Sequence, residues 1–421
     1  MDTGQCVHCG LCLSSCPTYM TTGLESESPR GRVFLLERLR EDPSLLNSHA
    51  AKALDDCLDC RACEAVCPSH VPTGHLVEAW RAESAKSEFS DLQPEAFRIF
   101  RTVSRPLQLF FGSPKGLRWF QRLARLSKKP MVGSWLTRIK WIPQRLEGLT
   151  LGLPDTIPRH LSRVYHVKGH SNLSQRAMLF VGCVMDTVYA DTNRHTADLL
   201  SLGKVDVIIP QNQRCCGALH MHGGQPDIAR EWARKNIEAF ETSGASIVVV
   251  TAAGCSAMLK EYQELFGPSD PFRVRAERFQ NAVVDITALL PELPLPKVDK
   301  PQEQVQISVH DPCHLAHAQG IKPEVRQMLQ KAGYTICEMT DSDRCCGAAG
   351  IYSLTHPEMA QQLLERKVST IPQQVQWVAA ANPGCILQIQ SGLKAQSQTP
   401  RAMHPVDLIW TAYQRHGFLS E

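Results

Sequence analysis

The chain has 421 residues, 43% of them hydrophobic and 21% charged, with a formal net charge of +3; this is enough material for a sizeable core and for two to four domains at roughly 100–200 residues each. The near-neutral balance, without an RNP, zinc-finger or helix-turn-helix signature, argues against nucleic-acid binding. No apolar run reaches the roughly 18 residues that cross a bilayer, and the start MDTGQCVHCG has neither the basic nor the apolar region of a secretory signal, so the expectation is a cytoplasmic protein whose 17 cysteines serve metal rather than disulfides.

Residues 1–85 read as one unit. The first motif is C-VH-C-GL-C-LSS-C-P, with Cys6, Cys9, Cys12 and Cys16 followed by Pro17. The second is C-LD-C-RA-C-EAV-C-P, with Cys57, Cys60, Cys63 and Cys67 followed by Pro68. Both are C-x2-C-x2-C-x3-C-P, the spacing of bacterial two-cluster ferredoxins, in which three close thiolates wrap one face of a [4Fe–4S] cube and the fourth reaches the other cluster. The spacing therefore assigns Cys6, Cys9, Cys12 and Cys67 to one cluster, and Cys57, Cys60, Cys63 and Cys16 to a second. Structural zinc fits less well, because zinc sites use paired C-x2-C knuckles. Between the motifs, PRGRVFLLERLRED predicts an amphipathic helix over 29–42. Its RGR either docks a partner or caps a core.

Residues 86–175 read as a basic helical connector. From Ala96 to Leu146 there are twelve Lys or Arg, no acidic residue and eight aromatics, and prolines divide the stretch. GLRWFQRLARLSKK places Arg118, Arg122, Arg125 and Lys129 along one helical face. Such a helix either meets an anionic membrane surface or an acidic partner, or is an ordinary surface helix.

The remainder is duplicated. Cys183, Cys215–Cys216 and Cys255 recur as Cys313, Cys345–Cys346 and Cys385, with identical gaps of 31 and 38 residues and an offset of 130. The adjacent pairs are not disulfides, since neighbouring Cα atoms lie about 3.8 Å apart and relaxed disulfides need about 4.4–6.8 Å. In each copy strands alternate with helices: MLFVG, VDVII and SIVVVT with helices after Cys183 and near 226–243, then VQISVH, YTICEM and VQWVAAA with helices near 322–332 and 357–370. This predicts α/β units with a largely parallel sheet over 176–300 and again over 301–421. Each cysteine then follows a strand, at the carboxyl edge where open α/β sheets bind ligands. Two four-cysteine sites, for metal or for dithiol redox chemistry, are the expectation. His220, His222, His310, His314 and His317 do not match between copies, which favours generic loop or core roles. Cys337 has Val207 as its counterpart and reads as core.

Together these features resemble the iron–sulfur subunit of glycolate oxidase (glycolate dehydrogenase), a family that joins two N-terminal ferredoxin motifs to two cysteine-rich CCG domains. The resemblance covers nearly the whole chain and is carried by CVHCGLCLSSCPTY, ESPRGRVFLLERL, CLDCRACEAVCPS, RCCGALHMH, TAAGCSAMLKEY, HDPCHLAHAQG, RCCGAAGIYSLTHPEMAQQL and NPGCILQIQSG. Lactate-utilisation proteins, the third subunit of anaerobic glycerol-3-phosphate dehydrogenase and heterodisulfide reductase subunits share the layout. The resemblance implies a multidomain α+β and α/β fold, two [4Fe–4S] clusters and a hetero-oligomer. In it, FAD-binding partner subunits oxidise glycolate, or D-lactate, and this subunit relays electrons toward quinone at the inner face of the cell membrane. No Gly-rich dinucleotide fingerprint stands between a strand and a helix, so FAD is expected on the partners and not on this chain. One departure stands out. Heterodisulfide reductases end each CCG domain in C-x2-C, whereas here the first position of that pair is Ala252 in one copy and Asn382 in the other. Whether Cys183, Cys215, Cys216 and Cys255, and Cys313, Cys345, Cys346 and Cys385, hold further iron–sulfur is therefore open at this point.

Overall fold

The computed structural model describes residues 6–84, 164–165, 175–298 and 305–419. The basic stretch with Arg118, Arg122, Arg125 and Lys129 lies outside them.

The N-terminal domain is a small helical unit: α1 Pro17–Thr22, α2 Pro29–Glu41, α3 Ser48–Asp55, α4 Ala62–Ala65 and α5 Thr73–Ser84. Local signals set the helix starts. Pro17 and Pro29 occupy first helical positions, where the missing N–H costs nothing. The Ser28 and Asn47 side chains accept from Gly31 N and Ala50 N. Val33, Leu36, Ala51, Leu54, Val71, Leu76 and Trp80 form the core. Within RGR, Arg32 turns inward. It is buried, and donates from Nε to the Ala53 carbonyl at 2.7 Å and from Nη2 to Thr18 Oγ1 at 3.0 Å. It braces this core and does not face outward.

The duplicated half forms two sheets. The first has the order β1-β3-β2-β4-β5, from β1 Val164–Tyr165, β2 Arg176–Phe180, β3 Asp206–Ile208, β4 Ile247–Val250 and β5 Val283–Asp285. The second has the order β7-β6-β8-β9, from β6 Gln306–His310, β7 Thr335–Ile336, β8 Trp377–Ala380 and β9 Arg401–Met403. All pairings are parallel except β1 with β3. β2 and β4 map onto β6 and β8 at the 130-residue offset. β9 lies only 118 residues after β5, so the duplication survives a shortening beyond the last cysteine. β1 comes from residues that the sequence pattern places in the connector. It covers the edge of β3, whereas β7 is a bare edge among the described residues and runs for only two residues, as unprotected edges tend to. Cys337 consequently sits one residue past β7, half-buried, with its N–H still bonded to the Ile307 carbonyl at 2.8 Å.

Strand alternation divides the core. Ala177, Leu179 and Val249 of the first copy and Ile307, Val309 and Ala379 of the second enter one shared core, completed by Val406, Leu408 and Ile409. The opposite faces serve each copy separately. Met178, Phe180, Val248 and Val250 pack with Cys215 and Cys216. Val378 and Ala380 pack with Cys346 and Cys385. The two copies therefore meet back to back, with each set of cysteines on the side away from the shared core.

The shared core predicts joint unfolding. Ile307→Ala, which should cost about 2–5 kcal/mol, is expected to speed amide exchange in β2 and β4 as well as in β6, by hydrogen-exchange mass spectrometry. Unchanged exchange in β2 would show that the copies fold separately.

Candidate iron–sulfur sites

Two adjacent cavities mark the N-terminal domain. One is lined by Cys6, Cys9, Cys12 and Cys67, together with Cys63. The other is lined by Cys16, Cys57, Cys60 and Cys63. The same backbone trick shapes both loops. His8 and Gly10 flank Cys9 with φ of 54° and 81°, and Asp59 and Arg61 flank Cys60 with φ of 51° and 61°. Alternating left-handed residues turn successive thiols inward around a small space, at a strain that non-glycine residues tolerate only when the surroundings hold them. Gly10 signals this conformation in the sequence; Asp59 and Arg61 do not.

The thiols face one another across these spaces. Burial raises the Cys12 pKa, and neighbouring Cys6 and Cys67 raise it further. Burial pushes Cys63 well above the ordinary thiol value, with Cys57 and Cys16 adding to the effect. Arg32 supplies the balancing charge. Burial opposes its protonation, but Cys57 and Cys16 beside it hold the guanidinium charged, and its Nη1 lies 3.7 Å from Cys16 Sγ. The donor set, one buried cation included, fits an anionic cluster.

In the duplicated half each group of four converges as expected. Cys183 Sγ lies 3.4 Å from Cys215 Sγ, and the Cys216 thiol stands between those of Cys215 and Cys255, both of which perturb it. Cys313, Cys345, Cys346 and Cys385 repeat the chain. The glycine after each pair explains the third letter of CCG. Gly217 and Gly347 adopt φ of 92° and 85°, and a Cβ on Gly347 would sit 2.6 Å from the Ala360 carbonyl oxygen. In each copy a helix, Pro226–Ser243 or Pro357–Ser369, packs directly on the turn that presents the thiols. Hydrogen bonding to Cys215 and burial push the Cys183 thiol well up; hydrogen bonding to Cys345 and burial do the same to Cys313. Asn382, at the position of the absent fifth cysteine, ties the copies together: its Nδ2 lies 3.5 Å from Cys385 Sγ, and its Oδ1 accepts from Gly254 N at 3.2 Å.

The N-terminal domain sits on both copies. Cys60 packs with Leu58, Ala62, Cys345 and Tyr352, against Cys313, and Tyr352 Oη donates to the Asp56 carbonyl at 2.9 Å. Arg61 pairs with Asp59 and with Glu261 of the first copy, each at 3.2 Å. His222, on the turn after Cys215–Cys216, lies 2.6 Å from Glu78 and 2.8 Å from Asp59. Of the five unmatched histidines, His220 and His317 do have ordinary partners, Gln225 Oε1 at 2.9 Å and the Asp343 carbonyl at 3.0 Å. His222 and His314 instead stand at the junction with Asp59, and His310 stands against Cys346 and Cys385. Sequence spacing could not reveal these roles, because they depend on contacts between domains or across a sheet face.

Comparison with known proteins agrees with this architecture. A 4Fe-4S dicluster domain model matches residues 2–71, and a cysteine-rich domain model matches 177–260 and 307–390. The chain is 33% identical to the probable glycolate oxidase iron-sulfur subunit of Bacillus subtilis, over 98% of this chain and 95% of that protein. It is 32% identical to the glycolate oxidase iron-sulfur subunit of Escherichia coli K12, over 92% and 89%. The chain belongs to the glycolate oxidase iron–sulfur subunit family. Lactate utilization protein A of Oceanobacillus iheyensis is a more distant relative, 26% identical over 56% of this chain and 97% of its own length. The glycolate oxidase subunits match along both halves, so the dicluster domain and the duplicated CCG domains are the family's shared frame, and iron–sulfur clusters are its cofactors.

His222 makes the junction pH-sensitive. Burial opposes its charge, but Asp59 and Glu78 outweigh it and push the pKa up to about 10. A raised value stabilises the folded protein fully below the free-histidine value of about 6.5 and loses that contribution toward pH 10. Thermal melts of the wild type should therefore lose stability across this window more steeply than those of His222→Gln. Parallel pH profiles would show that the junction does not depend on the His222 charge.

Proposed function

We propose that this chain is the electron-relay subunit of a flavoprotein complex that oxidises glycolate, or a related 2-hydroxy acid such as D-lactate, and that its working units are residues 1–85, 86–175, 176–300 and 301–421. Cys6, Cys9, Cys12 and Cys67 hold one [4Fe–4S] cluster; Cys16, Cys57, Cys60 and Cys63 hold the second. The CCG groups Cys183, Cys215, Cys216 and Cys255, and Cys313, Cys345, Cys346 and Cys385, hold further iron–sulfur. FAD resides on partner subunits, and this chain carries no substrate chemistry of its own.

The observation that carries the relay reading is the continuity of thiols. The two N-terminal cavities share Cys63. Cys60 of the second cavity feels Cys345 and Cys313 of the second CCG group, which, after burial, push its thiol well above the ordinary value. Asn382 then connects that group to the Gly254 turn of the first. Iron–sulfur clusters supply one-electron transfer. The protein's part is to hold them in this sequence, keep water from the inner ones, and leave one end open, where Cys9 is exposed.

The onward acceptor is quinone at the inner face of the cell membrane, which the chain reaches as a peripheral protein. No helix among the described residues is long and apolar enough to cross a membrane, and the basic, aromatic stretch from Ala96 to Leu146 offers charge for an anionic surface. Reversing the charge at Arg118, Arg122 and Arg125 is expected to move the complex into the soluble fraction; unchanged fractionation removes the membrane reading.

The relay itself is tested by Cys9→Ser and Cys60→Ser. Each should lose about four irons of a cubane cluster and stop electron delivery to a quinone analogue, while glycolate still reduces the flavin of the partner. Loss of flavin reduction in both variants, with the complex intact, would overturn the relay role.

A further inference from the structure

The two CCG groups have identical cysteine spacing but different neighbours. His310 ends β6, three residues before Cys313. Strand alternation places it on the face opposite the shared core, the face that carries Cys346 and Cys385. A ring nitrogen of His310 and the sulfurs of Cys346 and Cys385 all lie within 4.8 Å of one another. The ring is 1% exposed.

Its two nitrogens are not equivalent. Nδ1 lies 3.0 Å from the Ser342 carbonyl oxygen. A carbonyl only accepts, so Nδ1 carries the proton and Nε2 presents a lone pair. That Nε2 is buried with no hydrogen-bond partner among the described residues. A core histidine satisfies both nitrogens, whereas a metal-ligating one donates one N–H to a backbone carbonyl and keeps the other nitrogen for the metal. Lys367, which also faces Cys345, Cys346 and Cys385, is engaged with the Asp341 and Ser342 carbonyls. The first copy has Phe180 and Ile237 at the matching positions, both fully buried among apolar neighbours. Its thiols face hydrocarbon where those of the second face imidazole and ammonium.

We propose that His310 Nε2 is a further protein ligand to the iron–sulfur group of the second CCG copy, joining its four thiols where the first copy, with Phe180, has thiols alone. The proposal rests on the reading that the CCG groups hold iron–sulfur. The two copies then differ in their ligand sets, and the duplication yields two unlike relay stations.

The test is pulsed EPR on the full-length protein, purified without oxygen and poised at a series of potentials, with iron and sulfide quantified. Wild type should contain more than the eight or so irons of two cubanes. It should also show the coupling of a directly bound imidazole nitrogen, which changes on labelling with [15N]histidine. That coupling should vanish in His310→Phe, which copies the first domain, and in His310→Gln, which retains polarity, while the signals of the two N-terminal clusters persist in both. More than eight irons without any histidine coupling, or a coupling that survives in both variants, would overturn the role of His310 alone. A wild-type count of about eight irons, all accounted for by the N-terminal cubanes, would overturn the filled-CCG reading and this proposal with it.

Discussion

The seat of the loop from Cys57 to Cys67 governs the whole arrangement, and Arg61 fixes that seat. Its backbone is left-handed, its side chain is 5% exposed, and its charge is shared among Asp59, Glu64, Glu78 and Glu261. Removing one partner from such a buried network leaves an uncompensated charge, which is strongly destabilising. The network therefore specifies position more than it adds stability. Because Arg61 stands between Cys60 and Cys63, the geometry that docks the N-terminal domain on the first CCG copy also aims the thiols of the second cavity. Gly74 of α5 leaves the room, since a Cβ there would lie 2.2 Å from Asp59 Oδ1.

Back-to-back sheets answer a second constraint. Each copy carries its cysteines on the face away from its twin, yet a single small sheet cannot bury both faces alone. Sharing one core through β2, β4, β6 and β8 leaves the opposite faces available. The N-terminal domain then closes over the second copy at Cys60, and polar contacts such as Asn382 with Gly254 join the two cysteine edges.

Much of this was legible in the residues. The cysteine spacings located all four groups, and strand–helix alternation placed the CCG cysteines at strand ends. The helices at 226–243 and 357–369 follow amphipathic runs that begin with proline. What stayed hidden depends on distance in space. The RGR motif leaves partner docking and core capping open until α2 is seen to turn Arg32 into the core. His310 reads as an unmatched histidine until the β6 register sets it against Cys346 and Cys385. Cys337 falls outside its strand because β7, an edge, stops early. Asp59 and Arg61 give no local hint of left-handed backbone, because the cavity imposes it.

The contrast between Cys9 and Cys60 bears on how the protein is built and maintained. Cys9 stands exposed at the rim of its cavity, while Cys60 is sealed beneath Leu363, Tyr352 and the second CCG copy. On the proposed ligand assignment, iron and sulfide can reach the outer cluster in the finished protein, and so can oxygen. The inner cluster is the more shielded of the two, so oxidative loss begins at the open end of the chain.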